Sequence, residues 1–220
     1  HPNAVWASRQ RRDPTPLRYD PVLSARIGRP MTTRRSTTAK IYTLHVELQD
    51  IEPLIWRRLQ VPTAIALTRL HDVLQVAMGW TDSHLHSFKI GEREYTNAED
   101  ELDELEMLAE KGRKLDALLG KSTGEFNYLY DFGDSWNHRI VVESITAAQP
   151  GWSYPLCVAG ARACPPEDVG GTGGYQDFLE TIADPGHEEH DSMLVWVGGA
   201  FDPEGFDFNC VNRELRYRRL

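Results

Sequence analysis

Phe126-Asn-Tyr-Leu-Tyr-Asp-Phe-Gly-Asp-Ser-Trp-Asn-His-Arg-Ile-Val-Val142 decides the fold class, because it reads as two strands of period two joined by a tight turn. Phe126, Tyr128 and Tyr130 fall on one face of the first strand, and Trp136, His138, Ile140 and Val142 on one face of the second. Asp131-Phe-Gly-Asp134 supplies the Asp and Gly residues that a turn between paired strands uses. Hairpins of this kind build antiparallel sheets, and what lies on either side of this one separates an all-β protein from a mixed one.

Upstream, Ile41 to Leu48 alternates with Tyr42, Leu44, Val46 and Leu48 together, and Pro53-Leu-Ile-Trp-Arg-Arg-Leu-Gln-Val61 puts Ile55, Arg57, Leu59 and Val61 on one face. A second hairpin follows, stopped by Pro62. From Thr68 the period lengthens: Leu70, Val73, Leu74, Ala77 and Met78 make a helical stripe, with Thr68 as the expected N-cap and Gly79 as the stop. His84 to Ile90 returns to strand period with His84, His86, Phe88 and Ile90 on one face. Residues 98–110 are acidic and read as helix, Leu115 to Leu119 as a short helix closed by Gly120, and residues 146–174 as Pro- and Gly-rich loop. Three more helices are expected around Tyr175–Ile182, Met193–Val197 and Val211–Leu215. Antiparallel strand pairs with helices between and after them predict an α+β fold, a single compact domain over residues 40–220.

Residues 1–39 differ in composition. Nine basic residues against two acidic ones leave residues 1–40 at +7, and the remaining 15 basic and 31 acidic residues leave the rest at −16. The Pro- and Arg-rich stretch is expected to be a disordered tail, and Met31 followed by Thr-Thr-Arg-Arg makes the residues before it an upstream extension as readily as a functional arm. No apolar run is long enough to span a bilayer, so a cytoplasmic protein without membrane partners is expected. A body at −16 repels phosphate backbones, which confines expected nucleic-acid binding to the basic tail. Cys157, Cys164 and Cys210 form an odd set without C-x-x-C spacing, as expected for reduced thiols.

Four segments carry residues with chemistry. His84 and His86, two apart on one strand, would place their imidazoles about 7 Å apart on the same side, where they either share a metal or lie in the core with backbone partners. Asp131, Asp134 and His138 gather two carboxylates and an imidazole around one turn, although turn aspartates ordinarily accept backbone N–H bonds. Cys164-Pro-Pro-Glu-Asp-Val-Gly-Gly-Thr-Gly-Gly-Tyr175 delivers Glu167 and Asp168 ahead of Gly170, Gly171, Gly173 and Gly174. The amides of those glycines, at a helix start, could hold an anion, or the segment is a structural loop. His187 and His190 sit in an acidic stretch that suits the first turn of a helix better than a chelate. Asp131-Phe-Gly is no kinase signature, since the glycine-rich loop, strand lysine and His-Arg-Asp loop that would accompany it are missing.

Taken in order, Ile55-Trp-Arg-Arg58, Leu70-His71 through Gly79-Trp80, His84-Leu-His-Ser-Phe88, Tyr128 to His138, Cys164 to Asp168 with Gly170-Gly171, and Phe201 to Asp207 before Asn212 resemble the plasmid pRiA4b Orf-3-like family. The resemblance implies an α+β fold and occurrence on plasmids and insertion elements, with no established reaction. Val169 stands where many relatives carry cysteine, which counts against a thiol-based zinc site. A resolvase label attached to some relatives finds no nucleophile and arginine setting in this sequence.

Three functional readings result. One is a mobile-element-associated accessory or interaction domain whose His/Asp/Glu cleft receives an unknown protein or a small anionic ligand. Another is a metal-dependent hydrolase acting on an anionic substrate. In it His84, His86, Asp134 and His138 hold one divalent ion such as zinc, Glu167 or Asp168 acts as base, and Gly170, Gly171, Gly173 and Gly174 hold the anion. The last is DNA binding through the arginine-rich tail.

Overall fold

Side chains that alternate between apolar and polar leave a sheet with one face to bury, and here that face is covered by helices. A computed structural model describes residues 39–98, 102–120 and 124–220. Its elements run β1 (Lys40–Leu48), β2 (Ile55–Pro62), α1 (Leu67–Met78), β3 (His86–Ile90), β4 (Arg93–Thr96), α2 (Leu102–Leu105), β5 (Leu108–Ala109), α3 (Leu115–Leu119), β6 (Glu125–Tyr130), β7 (Trp136–Ala147), β8 (Leu156–Ala161), α4 (Gly171–Ala183), α5 (His190–Trp196) and α6 (Phe208–Tyr217). The strands form one eight-stranded sheet in the order β5-β4-β3-β6-β7-β1-β2-β8. Every pairing is antiparallel except the two-residue contact of β4 with β5. The α+β expectation is met, with the two expected hairpins joined edge to edge: β1 pairs with both β2 and β7.

The expected strand faces are the buried ones. Tyr42, Leu44, Val46, Leu48, Ile55, Leu59, Val61, Phe126, Tyr128, Tyr130, Trp136, Ile140 and Val142 all belong to the core. Arg57 is buried with them, 1% exposed. Its guanidinium donates to Ala77 O, Trp56 O and Ala161 O, each at 2.8 Å, and lies over the Phe206 ring 3.9 Å from its centre. That side chain ties β2 to the end of α1 and to β8. At the outer edge of β8, Asn212 of α6 substitutes for a neighbouring strand: its Oδ1 accepts from Cys157 N (2.8 Å) and its Nδ2 donates to Cys157 O (2.7 Å). An edge that would otherwise expose unpaired backbone is thereby closed.

Four elements differ from expectation. The helix α1 starts one turn's fraction earlier than Thr68, after Ala66, because Leu67 N is already bonded to Arg113 O and Leu70 N to Ala66 O. The acidic stretch 98–110 is mostly not helical. After the four residues of α2, Glu106 takes positive φ, β5 pairs with β4, and Glu110 is buried. Residues 99–101 of that stretch, and the tail up to residue 38, lie outside the described residues. The strand expected from His84 begins only at His86, since Ser83 N is held by the Tyr130 hydroxyl and Asp131 N by Leu85 O. Finally, β8 lies inside the stretch read as loop.

Among the described residues no helix is long and apolar enough to cross a membrane. The three cysteines are free thiols, Cys157 and Cys164 buried and Cys210 exposed.

Candidate functional site

Gly79 ends α1 in the left-handed conformation (φ 96°), which turns the chain sharply into Trp80. The Trp80 indole Nε1 donates to Pro165 O at 2.9 Å, and its ring stacks on Tyr130 with centres 4.9 Å apart. One aromatic side chain thus holds three segments together: the loop after α1, the last residue of β6, and the Pro-Pro-Glu-Asp loop. Thr81, the next residue, gives both its backbone N–H (2.7 Å) and its hydroxyl (3.1 Å) to Glu167 Oε1, and the Tyr130 hydroxyl donates to the same oxygen at 3.1 Å. Burial first, then the nearby Glu167 charge, pushes the Tyr130 hydroxyl well above its usual range, so it stays a donor.

His84 lies at the centre of what these contacts assemble. Its Nε2 is 2.9 Å from Asp168 Oδ1, 3.5 Å from Asp131 Oδ2 and 4.0 Å from Glu167 Oε2. That nitrogen is shielded from solvent, and no contact has hydrogen-bond geometry. Asp131 is 6% exposed; its Oδ1 accepts the N–H groups of Gly133 (2.9 Å) and Asp134 (3.2 Å), the usual work of a turn aspartate, which leaves Oδ2 aimed at His84. Asp131 and Asp168 both have positive φ, 56° and 58°. Aspartate tolerates that conformation better than most residues do. Among the described residues none of the three carboxylates is paired with a lysine or arginine.

The remaining expected residues are placed as follows. Asp134 faces the glycines, its Oδ2 accepting from Gly170 N at 3.1 Å, and Gly171 approaches so closely that a Cβ there would be 2.8 Å from Asp134 O. The Gly174 amide is used within the first turn of α4, by Gly170 O. His138, on β7, is fully buried with its ring against Tyr128 and Trp80; Nδ1 lies 3.2 Å from Tyr128 O, and Nε2 has no protein partner among the described residues. Burial pushes its pKa down to about 4, so the ring is neutral. It belongs to neither of the two groupings with metal-ligand spacing.

His86 belongs to a second, inner grouping. Its ring stacks on His71 with centres 3.5 Å apart and planes 6° from parallel, and its Nε2 meets Glu110 Oε2 at 2.9 Å. His71 contacts the Tyr128 hydroxyl through Nδ1 and Asp82 Oδ1 through Nε2, both at 2.8 Å. Burial, then the neighbouring His86, brings the His71 pKa down to about 4. Candidate ligand atoms of His71, Asp82 and His86 lie within 4.8 Å of one another, as do those of His84, Asp131 and Asp168. Parallel stacked imidazoles cannot both aim in-plane lone pairs at one ion, so the inner set is a poor chelate and the outer set a plausible one. The fold therefore brings together His84, Glu167 and Asp168, sets Asp134 beside the glycines, and separates His86 and His138 from them.

The sequence alone assigns no role to Thr81, Asp82 or Glu110, places Tyr130 only on a strand face and His71 only in a family motif, and gives Asp131 chiefly the work of a turn residue. The run Gly79-Trp-Thr-Asp-Ser-His84, polar directly after a helix stop, was the available signal for the first of these.

Comparison with known proteins bears on the whole of this arrangement. A family model described as plasmid pRiA4b ORF-3-like protein matches residues 40–210, which include every residue of both groupings. The chain belongs to the plasmid pRiA4b ORF-3-like family. Within the pRiA4b ORF-3-like family it is similar to the uncharacterized protein y4hQ of Sinorhizobium fredii, 40% identical over 178 residues that cover 80% of this chain and 91% of the relative. It also resembles the crystal structure of MM3350 from Methanosarcina mazei, a protein of unknown function. That match has a TM-score of 0.72 at 37% identity and covers 79% of this chain and 98% of the other.

Proposed function

We propose that the domain binds one divalent cation at His84, Asp131 and Asp168 and serves as a metal-dependent hydrolase. The observation that carries this reading is the approach of three carboxylates to a single imidazole nitrogen, at 2.9, 3.5 and 4.0 Å, with no lysine or arginine paired to them among the described residues. Carboxylates that converge on one shielded imidazole nitrogen repel one another at a cost, even with Asp168 itself 70% exposed, and a bound cation turns the repulsion into ligation. An interaction surface alone gives no reason for that cost.

One imidazole with carboxylate oxygens suits zinc, manganese or ferrous iron. Such an ion supplies an acidified water as nucleophile. The chain's own part is positional: Trp80 and Tyr130 fix the Pro-Pro-Glu-Asp loop, Thr81 and Tyr130 orient Glu167, and the turn amides orient Asp131. Glu167 Oε2 faces His84 at 4.0 Å and receives only the longer contact from the Tyr130 hydroxyl, 3.3 Å, so it would be a further candidate ligand.

Chelator-stripped protein should take up about one equivalent of zinc or manganese by calorimetry and elemental analysis, as expected of a single site. His84→Ala and Asp131→Asn should abolish uptake, while His138→Gln should keep it. Asn tolerates the left-handed backbone and retains the turn acceptor, so Asp131→Asn removes charge with little else. Substoichiometric uptake by the unmutated protein would remove the proposal.

A further inference from the structure

Next to the His84 centre, and sharing Asp168 with it, a cleft of about 570 Å³ opens between α4 and α5. That volume is typical of small-molecule sites. Its walls are apolar and aromatic: Phe178 of α4 meets Trp196 of α5 edge to face, with centres 5.8 Å apart, and Met193 adds a flexible thioether. Trp196 stays 47% exposed, a large indole left uncovered by the chain itself. The polar lining is acidic. Asp168, Asp177 and Glu189 contribute carboxylates, and among the described residues no lysine or arginine lines the cleft and neither Asp177 nor Glu189 has an ion-pair partner.

We infer that this cleft binds a small organic cation, an ammonium group carried on an aromatic or branched aliphatic body. The apolar walls receive the body, and the carboxylates and the Trp196 ring face attract the charge, the latter through the ring quadrupole. An anion of the same shape would meet three like charges. The inference deepens the metal-centre reading in one respect only: Asp168 would bring the bound molecule to His84, so the cation-bearing compound is the substrate class. Binding in the cleft itself does not require the metal.

The test uses three probes with one body and different charge: 2-phenylethylamine, 2-phenylethanol and phenylacetate, titrated by calorimetry and followed by indole resonances in NMR spectra. The amine should bind about tenfold more tightly than the alcohol, and phenylacetate should not bind, as expected for partly desolvated charge and cation–π contacts. Asp177→Asn with Glu189→Gln should remove most of the amine's advantage over the alcohol, leaving the part owed to Asp168 and the indole, and Trp196→Ala should weaken both. All three positions are at the surface, so the variants should fold. Equal binding of amine and alcohol, or amine binding unchanged in the double variant, overturns the inference. Measuring the amine on His84→Ala separates the two proposals: retained amine binding with no metal uptake by the unmutated protein sinks the hydrolase reading alone. Normal metal uptake without amine binding sinks only the cleft.

Discussion

His138 shows how one buried side chain sets a pH limit on the fold. The unfolded chain takes up a proton on such a ring below about pH 6.5. In the folded chain burial delays this until about 4. The unfolded state therefore binds more protons through that window, and stability must fall as the pH drops from the upper value to the lower, while above it the ring contributes no slope. The full difference is about 3 kcal/mol for a group so completely enclosed. His71, also lowered to about 4 by burial, acts in the same direction. Urea unfolding from pH 4.5 to 7.5 should show the decline, and His138→Gln, which keeps a donor for Tyr128 O without a titrating ring, should be flatter. A variant as pH-sensitive as the parent would show that His138 carries none of it.

At the scale of elements, the start of α4 separates close packing from anion binding as the reason for its glycines. A Cβ on Gly174 would fall 2.0 Å from Val169 O, whereas one on Gly173 would meet nothing within 4 Å. Gly174→Ala should thus force apart the loop carrying Asp168 and cost about 2–4 kcal/mol, and Gly173→Ala, in an open helical position, should be neutral or stabilise by about 0.5–1 kcal/mol. Thermal unfolding of the two variants makes the comparison, and similar losses in both would contradict it. The same contrast explains what could be read in advance. Helix α1 and the β6–β7 hairpin were legible because each keeps its apolar side chains on one periodic face and ends in a residue, Gly79 or the Asp131 turn, whose chemistry is local. Leu156-Cys-Val-Ala-Gly-Ala161 has no such alternation, and it is a strand because β2 and Asn212 occupy its two edges. His84 left its strand for an equally non-local reason, the hold of Tyr130 on Ser83 N. Glu167 and Asp168 could be singled out from their stiff, glycine-flanked loop. Their meeting with His84 depends on Trp80 reaching Pro165, 85 positions away, which no window of sequence contains.

Over the whole molecule, charge divides where composition does. The +7 of residues 1–40 and the −16 of the rest give one chain two opposite electrostatic characters. An acidic body raises the local concentration of cations and repels polyanions at long range, which agrees with the proposed metal centre and organic-cation cleft and predicts weak attraction of duplex DNA to residues 40–220. Residues 40–220 alone should therefore fail to retard duplex DNA at about 0.15 M salt, where specific binders still hold. Retardation by the full chain, if it occurs through its arginines, should weaken steeply between about 50 and 200 mM salt and vanish with removal of residues 1–39. Gel-shift titrations of both lengths across that range decide the matter. Salt-sensitive binding retained by the shorter protein would mean that basic side chains such as Arg58 and Arg139, each already committed to a glutamate, form a phosphate-binding surface despite the overall charge.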